Sequence, residues 1–193
     1  MTLPHTLENT VSLKVEKLPS GLRSHIRRVV SIAQELAVRH DLDTNRVRLA
    51  AMAHDIVRNM KGKHLITKAK ELGIPITDFE KQLPMILHGP VAAEMLRTYE
   101  DMRDPDVYDA IYWHSTGHHR LGGIGKVVFL ADKLDPQKAS RYESIDQVHQ
   151  KALINLDAAT LQFLDIELAR LIRGGRCIHP ESIQARNKLL NSD

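Results

Sequence analysis

Apolar positions recur along this chain at steps of three and four residues almost from end to end, and no stretch alternates as a half-buried strand would. Residues 22–39 place Ile26, Val29, Val30, Ala33, Leu36 and Ala37 on one stripe, which predicts a helix with a single buried face. A second helix is expected over about 44–58, capped by Asp43 or Thr44, with Val47, Ala50, Ala51 and Val57 turned inward. Gly62 and the Gly73-Ile74-Pro75 turn punctuate a less regular stretch beyond it. Pro90 and Pro105 read as first-turn prolines of helices over about 90–100 and 105–114, the latter with Asp104 as its cap. Gly122-Gly123-Ile124-Gly125 leads into a helix that carries Val127, Val128, Leu130, Ala131 and Leu134 and ends before Pro136. One long helix over about 144–172 then runs to Gly174-Gly175, and Pro180 opens a last short one. The expected fold class is all-α: a helical bundle over 21–141 holding the chemistry, an N-terminal extension over 1–20, and a helical C-terminal extension over 142–193 packed on the same domain.

Composition narrows the setting. A chain of 193 residues with 42% hydrophobic and 26% charged side chains suits one soluble domain with a modest appendage. No apolar run approaches membrane-spanning length, and the first residues lack the apolar stretch of a signal peptide. The lone Cys177 rules out an internal disulfide framework, so a cytoplasmic location is expected. A net charge of +3 with pI ≈ 9.0 suits an anionic small molecule but is too small to indicate nucleic-acid binding. Aromatic residues make up only 4%, too few for the stacking platforms of single-strand binders.

Eleven histidines are many for this length, and their placement matters more than their number. His25 shares a face with Val29, Ile32 and Leu36; His54 follows Val47, Ala50 and Ala51; His114 follows Val107, Ala110 and Ile111. An unpaired imidazole on an apolar face is costly, and so is a lone carboxylate such as Asp132 inside Val127-Val128-Phe129-Leu130-Ala131-Asp132. His88 lies just before a helix start, and His54 is followed directly by Asp55. A shared divalent metal would satisfy all of these groups together.

The order His25, His54-Asp55, Asp132 resembles the HD-domain metal-dependent phosphohydrolases, all-α proteins that ligate metal through H…HD…D. The segments LAAMAHDIVR, MILHGPVAAEML, AIYWHSTG and KVVFLADKLDP narrow the resemblance, over about 20–141, to the YqeK-type branch of symmetrical bis(5'-nucleosyl)-tetraphosphatases. That resemblance implies two divalent ions, usually iron, with manganese, cobalt and zinc also compatible with imidazole and carboxylate ligands. It assigns His25, His54, Asp55 and Asp132 to the first ion, Asp55 as the bridge, and His88 and His114 to the second. Arg58, Lys126 and Lys138 match basic positions of the family and are the expected substrate-binding cations, with Asp55, Arg58 and Lys126 the expected catalytic set. His118-His119-Arg120 is read as an exposed loop, with an added phosphate contact as the alternative.

The implied reaction is symmetrical hydrolysis of diadenosine tetraphosphate to two ADP, by in-line attack of a hydroxide bridging the metals on an inner phosphorus. Alternatives are an HD-type (deoxy)nucleotidase, an alarmone hydrolase, or a non-catalytic nucleotide-binding module. Tyr112 and Trp113, beside His114, are the nearest aromatic candidates for stacking on a base, with a core role equally open. Leu161, Leu164, Leu168, Leu171 and Ile172 could pack either on the chain's own core or on a second copy, which leaves a homodimer open.

Overall fold

The computed structural model describes residues 6–139, 141–142 and 144–191, so the outermost parts of the expected extensions lie outside the described residues. Among these residues there is no strand. The helices are α1 (Leu7–Glu16), α2 (Ser20–Arg39), α3 (Thr44–Ala53), α4 (Gly62–Glu71), α5 (Asp78–Gln82), α6 (His88–Tyr99), α7 (Pro105–Trp113), α8 (Gly123–Leu134), α9 (Pro136–Ala139), α10 (Ile145–Ala152), α11 (Leu156–Arg173) and α12 (Pro180–Leu190). A 3-10 turn, Pro84–Leu87, runs straight into α6.

Four helices form the heart of the bundle. α2 packs on α3 and α8, and α7 packs on α3, α6 and α8. The residues facing inward are often alanines: Ala33 and Ala37 on α2, Ala50, Ala51 and Ala53 on α3, Ala110 on α7 and Ala131 on α8 are all fully buried. Small side chains let these helices approach closely, and larger ones such as Ile26, Leu36, Ile111 and Leu130 fill the layers between. α1 buries Val11 and Val15 against the same core, resting on α3. At the other end α11 covers α8 and carries α10 and α12 with it. Phe163 and Leu164 of α11 are buried there, while Ile172 stays 67% exposed.

Two helix expectations need correction. The helix from 44 stops at Ala53 rather than near 58, because the chain tightens into i to i+3 turns, with Arg58 N–H donating to Asp55 O at 3.0 Å and Met60 N–H to Val57 O at 2.9 Å. The single helix expected over 144–172 is two helices. Asn155 separates them because its side-chain oxygen accepts the N–H groups of Asp157 and Ala158 at 2.9 and 3.0 Å, the geometry of an N-cap. Of the two residues considered for the start of α3, Asp43 is the cap, and Asp104 caps α7 as expected. The less regular stretch after Gly62 is itself helical in α4 and α5.

Candidate metal centre

Three histidines occupy the same local position: His54, His88 and His114 each follow the last residue of a helical segment, α3, the 3-10 turn and α7 respectively. Carbonyls at a helix end are open to further partners, and each imidazole donates to one of them. The Nδ1–H of His54 donates to Ala51 O at 2.7 Å, that of His88 to Met85 O at 2.5 Å, and that of His114 to Ile111 O at 2.8 Å. His25, inside α2, uses a carboxylate instead, with Nδ1 at 2.5 Å from Asp135 Oδ2. An Nδ1 that donates carries the proton, so in the neutral ring every Nε2 is a bare donor atom turned toward the middle of the bundle. Metal-ligating histidines are held in this way by groups behind them.

The six expected ligands meet at the middle of the bundle. His25, His54, Asp55 and Asp132 form one group and Asp55, His88 and His114 another, each with its ligand atoms within 4.8 Å of one another. Asp55 belongs to both. Its Oδ2 is 3.5 Å from both His25 Nε2 and His54 Nε2, and its Oδ1 is 3.0 Å from His88 Nε2 and 3.6 Å from His114 Nε2. Asp132 Oδ1 lies 3.1 Å from His25 Nε2 and 3.6 Å from His54 Nε2. All six side chains are buried.

Electrostatics divide the centre: the group around His54 favours positive charge, and the His114 side does not. Burial alone would lower the His54 pKa, but Asp55 and Asp132 outweigh it and push the imidazole up to about 9. Despite burial, the surrounding histidines and lysines hold the Asp55 and Asp132 carboxyls well below the usual carboxylate range. His114 goes the other way, down to about 3, through burial reinforced by neighbouring His88 and His54.

Three observations fit a bound divalent cation. Asp55 Oδ1 is buried and accepts no hydrogen bond. The Nε2 atoms of His88 and His114 face each other at 2.9 Å although both rings donate through Nδ1, so a shared proton or a cation has to stand there. The donor set, imidazole and carboxylate without thiolate, suits a first-row divalent metal.

Supporting residues escaped the sequence reading. Arg28 grips Asp135 through Nε at 2.6 Å and Nη2 at 2.9 Å, which fixes the carboxylate that orients His25. Lys133 is buried, donating to Asp132 Oδ2 at 2.7 Å and to His114 O at 2.8 Å, where its charge also suits the C-terminal end of α7. Gly89 lets α6 start hard against the end of α7: a Cβ there would stand 2.7 Å from Tyr112 O and 2.9 Å from Ile111 O. The one usable signal was Asp135 itself, a carboxylate directly before a proline at the end of an apolar helix.

The expected cations divide. Lys138 pairs with Asp132, and Arg58 Nε stands 4.0 Å from Asp55 Oδ1 at the partly exposed rim. Lys126 is not brought to the centre. It precedes Asp132 on α8 by six residues, which sets it about 9 Å away along the axis on another side of the helix. It pairs there with Asp157 of α11.

The expectation of an exposed 118–120 loop fails for His118, which is buried and stacks on Trp113 with ring centroids 4.3 Å apart. His118, His119 and Glu181 come together. However, His118 Nδ1 accepts the Arg120 N–H at 3.1 Å, which leaves the proton of the neutral ring on Nε2, the atom that faces Glu181. Metal ligation from that atom is disfavoured.

A family model described as HD domain matches residues 22–137, more than half of the chain. The chain belongs to the HD domain family. A curated relative from Staphylococcus aureus (strain NCTC 8325 / PS 47), named symmetrical bis(5'-nucleosyl)-tetraphosphatase, is 33% identical over 67% of this chain and 66% of its own length. One of the same name from Bacillus subtilis (strain 168) is 26% identical over 95% of this chain and 97% of its own. Among solved structures, one described as a predicted HD superfamily hydrolase involved in NAD metabolism, from Clostridium acetobutylicum, has a TM-score of 0.89. It is 24% identical and covers 98% of this chain and 99% of its own, a likeness of fold. With this family and these relatives, the chain is a metal-dependent phosphohydrolase whose His/Asp cluster suits a divalent metal. No helix among the described residues is long and apolar enough to cross a membrane.

Proposed function

We propose that the chain hydrolyses diadenosine tetraphosphate symmetrically, consuming one water, breaking the central P–O–P bond and releasing two ADP. The observation that carries the reading is the division of Asp55, one oxygen toward His25 and His54 and the other toward His88 and His114. This arrangement suits two cations side by side, the first held by His25, His54, Asp55 and Asp132 and the second by Asp55, His88 and His114, with iron the expected metal. Two bound divalent ions lower the pKa of a water toward ~7 and screen the charge of the attacked phosphoryl group.

The residues of the chain then have defined tasks. Asp135 and the three helix-end carbonyls hold the imidazoles in the tautomer that leaves Nε2 bare. Lys133 and Lys138 bracket Asp132 and keep it ionised. Arg58, at the rim beside Asp55, is placed to meet phosphate oxygens and neutralise charge as the bond breaks. The names of the relatives support the choice of substrate over a nucleoside monophosphate or an alarmone.

The test pairs substrate profiling with elemental analysis of the purified protein. Two metals per chain, and kcat/KM for the dinucleotide at least about a hundredfold above any nucleoside monophosphate, are expected, a gap of roughly 2.7 kcal/mol. One metal per chain, or a preference for monophosphates, would replace this reading with a nucleotidase.

A further inference from the structure

The residue after His114 brings a hydroxyl in among the ligand atoms of the second group. Ser115 Oγ is 3.1 Å from His114 Nε2 and 3.3 Å from His88 Nε2. Those two nitrogens are 2.9 Å apart, and Asp55 Oδ1 is 3.0 Å from the His88 nitrogen and 3.6 Å from that of His114. Neighbouring atoms of this four-atom cage are thus 2.9 to 3.6 Å apart. Atoms bound about 2.1 Å from one first-row cation stand about 3.0 Å from each other at right angles and about 3.4 Å in a tetrahedron. The cage has the size of a coordination shell.

It is also short of protons. Both imidazoles donate through Nδ1, so each Nε2 presents a lone pair, and Asp55 Oδ1 accepts no hydrogen bond. Among the described residues Ser115 Oγ has no hydrogen-bond partner other than the two Nε2 atoms. Its single proton can serve one of the three acceptors, which leaves the other lone pairs facing one another. A divalent cation resolves this conflict by taking a lone pair from all four atoms and releasing the hydroxyl proton to point away. The backbone holds the hydroxyl in place. Lys133 Nζ donates to the His114 carbonyl at 2.8 Å, and the Gly117 N–H donates to Trp113 O at 2.8 Å, with Gly117 at φ 71°. Ser115 also borders two cavities, of about 350 and 160 Å³, both walled partly by α12 and the second also by α11.

We propose that Ser115 Oγ is a further donor to the second cation, beside Asp55, His88 and His114. The proposal rests on the two-cation reading of the centre. A neutral hydroxyl holds the ion without cancelling its charge, which leaves more of that charge to screen a phosphoryl group.

The test uses direct bonding as its readout. Full-length protein carrying Cys177→Ser, which removes the only native cysteine, is loaded with cobalt(II) with and without Ser115→Cys. A thiolate bound to cobalt gives an intense near-ultraviolet charge-transfer absorption, which a side chain acting through packing alone does not produce. That absorption is expected only in the protein carrying Ser115→Cys. In the native background, Ser115→Ala should weaken one of the two manganese ions about tenfold, the order of one polar contact to a charged group, and leave the other unchanged in calorimetric titration. Ser115→Thr retains the hydroxyl and should restore the affinity. Two metals per chain with no charge-transfer absorption in Ser115→Cys, or wild-type affinity for both ions in Ser115→Ala, would overturn the proposal and leave the two-cation reading standing. A single manganese per chain in the wild type would overturn both.

Discussion

A histidine at a helix end donates to a carbonyl one turn back with one nitrogen and leaves the other free to bind. His54, His88 and His114 all do this, and it converts three unrelated stretches of sequence into one set of aimed ligands. The residue types were legible in advance: histidines on apolar faces, an adjacent aspartate, a carboxylate inside a buried helix. Their aim was not, because it depends on where each helix stops. The groups behind them were legible still less. Asp135 and Lys133 were visible only inside the segment KVVFLADKLDP, and Gly89 as one glycine among ten. Asp135→Asn should lower metal affinity about 10- to 100-fold with the fold intact, read by elemental analysis after dialysis against graded chelator. Asp55→Ala should remove the shared ligand and most of the turnover. Near-normal activity in that variant would show that the bridge is misassigned. Gly89→Ala places a methyl against two backbone carbonyls and should cost roughly 1–3 kcal/mol, seen as a shift of the urea midpoint.

Helices were the most legible level, since apolar periodicity marks the middle of a helix clearly. Their ends depend on single hydrogen bonds, and there the pattern ran on where the chain does not. Periodicity carries through Leu153-Ile154, yet Asn155 stops and restarts the helix; Asn155→Ala should destabilise by ~1 kcal/mol in thermal unfolding. The joint between α3 and α7 was invisible in the sequence because its partners are 58 residues apart. Arg46 reaches from the first turn of α3 to both oxygens of the α7 cap Asp104, each at 2.6 Å, and to Asp106 at 2.7 Å. Arg46 is the main reason the Asp104 carboxyl lies below its ordinary value of 3.8. A carboxylate depressed on folding stabilises above its unfolded pKa and loses that contribution as pH falls through the folded value. The stability gap between wild type and Arg46→Met should therefore be full at pH 6 and narrow only as pH falls below the ordinary carboxyl value of 3.8, measured by urea unfolding from pH 6 into the strongly acid range. A gap independent of pH would mean that Arg46 acts through packing alone.

At the scale of the whole molecule, five helices, α2, α3, α6, α7 and α8, meet at a buried polar centre that costs stability when its charges are incomplete. Metal should therefore bind folded protein far better than unfolded. Manganese at about 100 times its Kd should add ~2.7 kcal/mol, or roughly 5–10 °C in melting temperature for a chain of this size, and chelator should reverse it. The all-α class could be read from the sequence, whereas the contribution of α11 and α12 to the space beside the expected ligands could not. Those helices carry no motif, and their part emerges only when α11 packs on α8 and α12 packs on α11. The most direct test is to incubate anaerobically iron-loaded protein with diadenosine tetraphosphate and resolve the nucleotides by ion-exchange chromatography. The account predicts two ADP per substrate consumed and no other nucleotide; AMP with ATP in equal amounts, or an untouched substrate in protein that holds two metals, would contradict it.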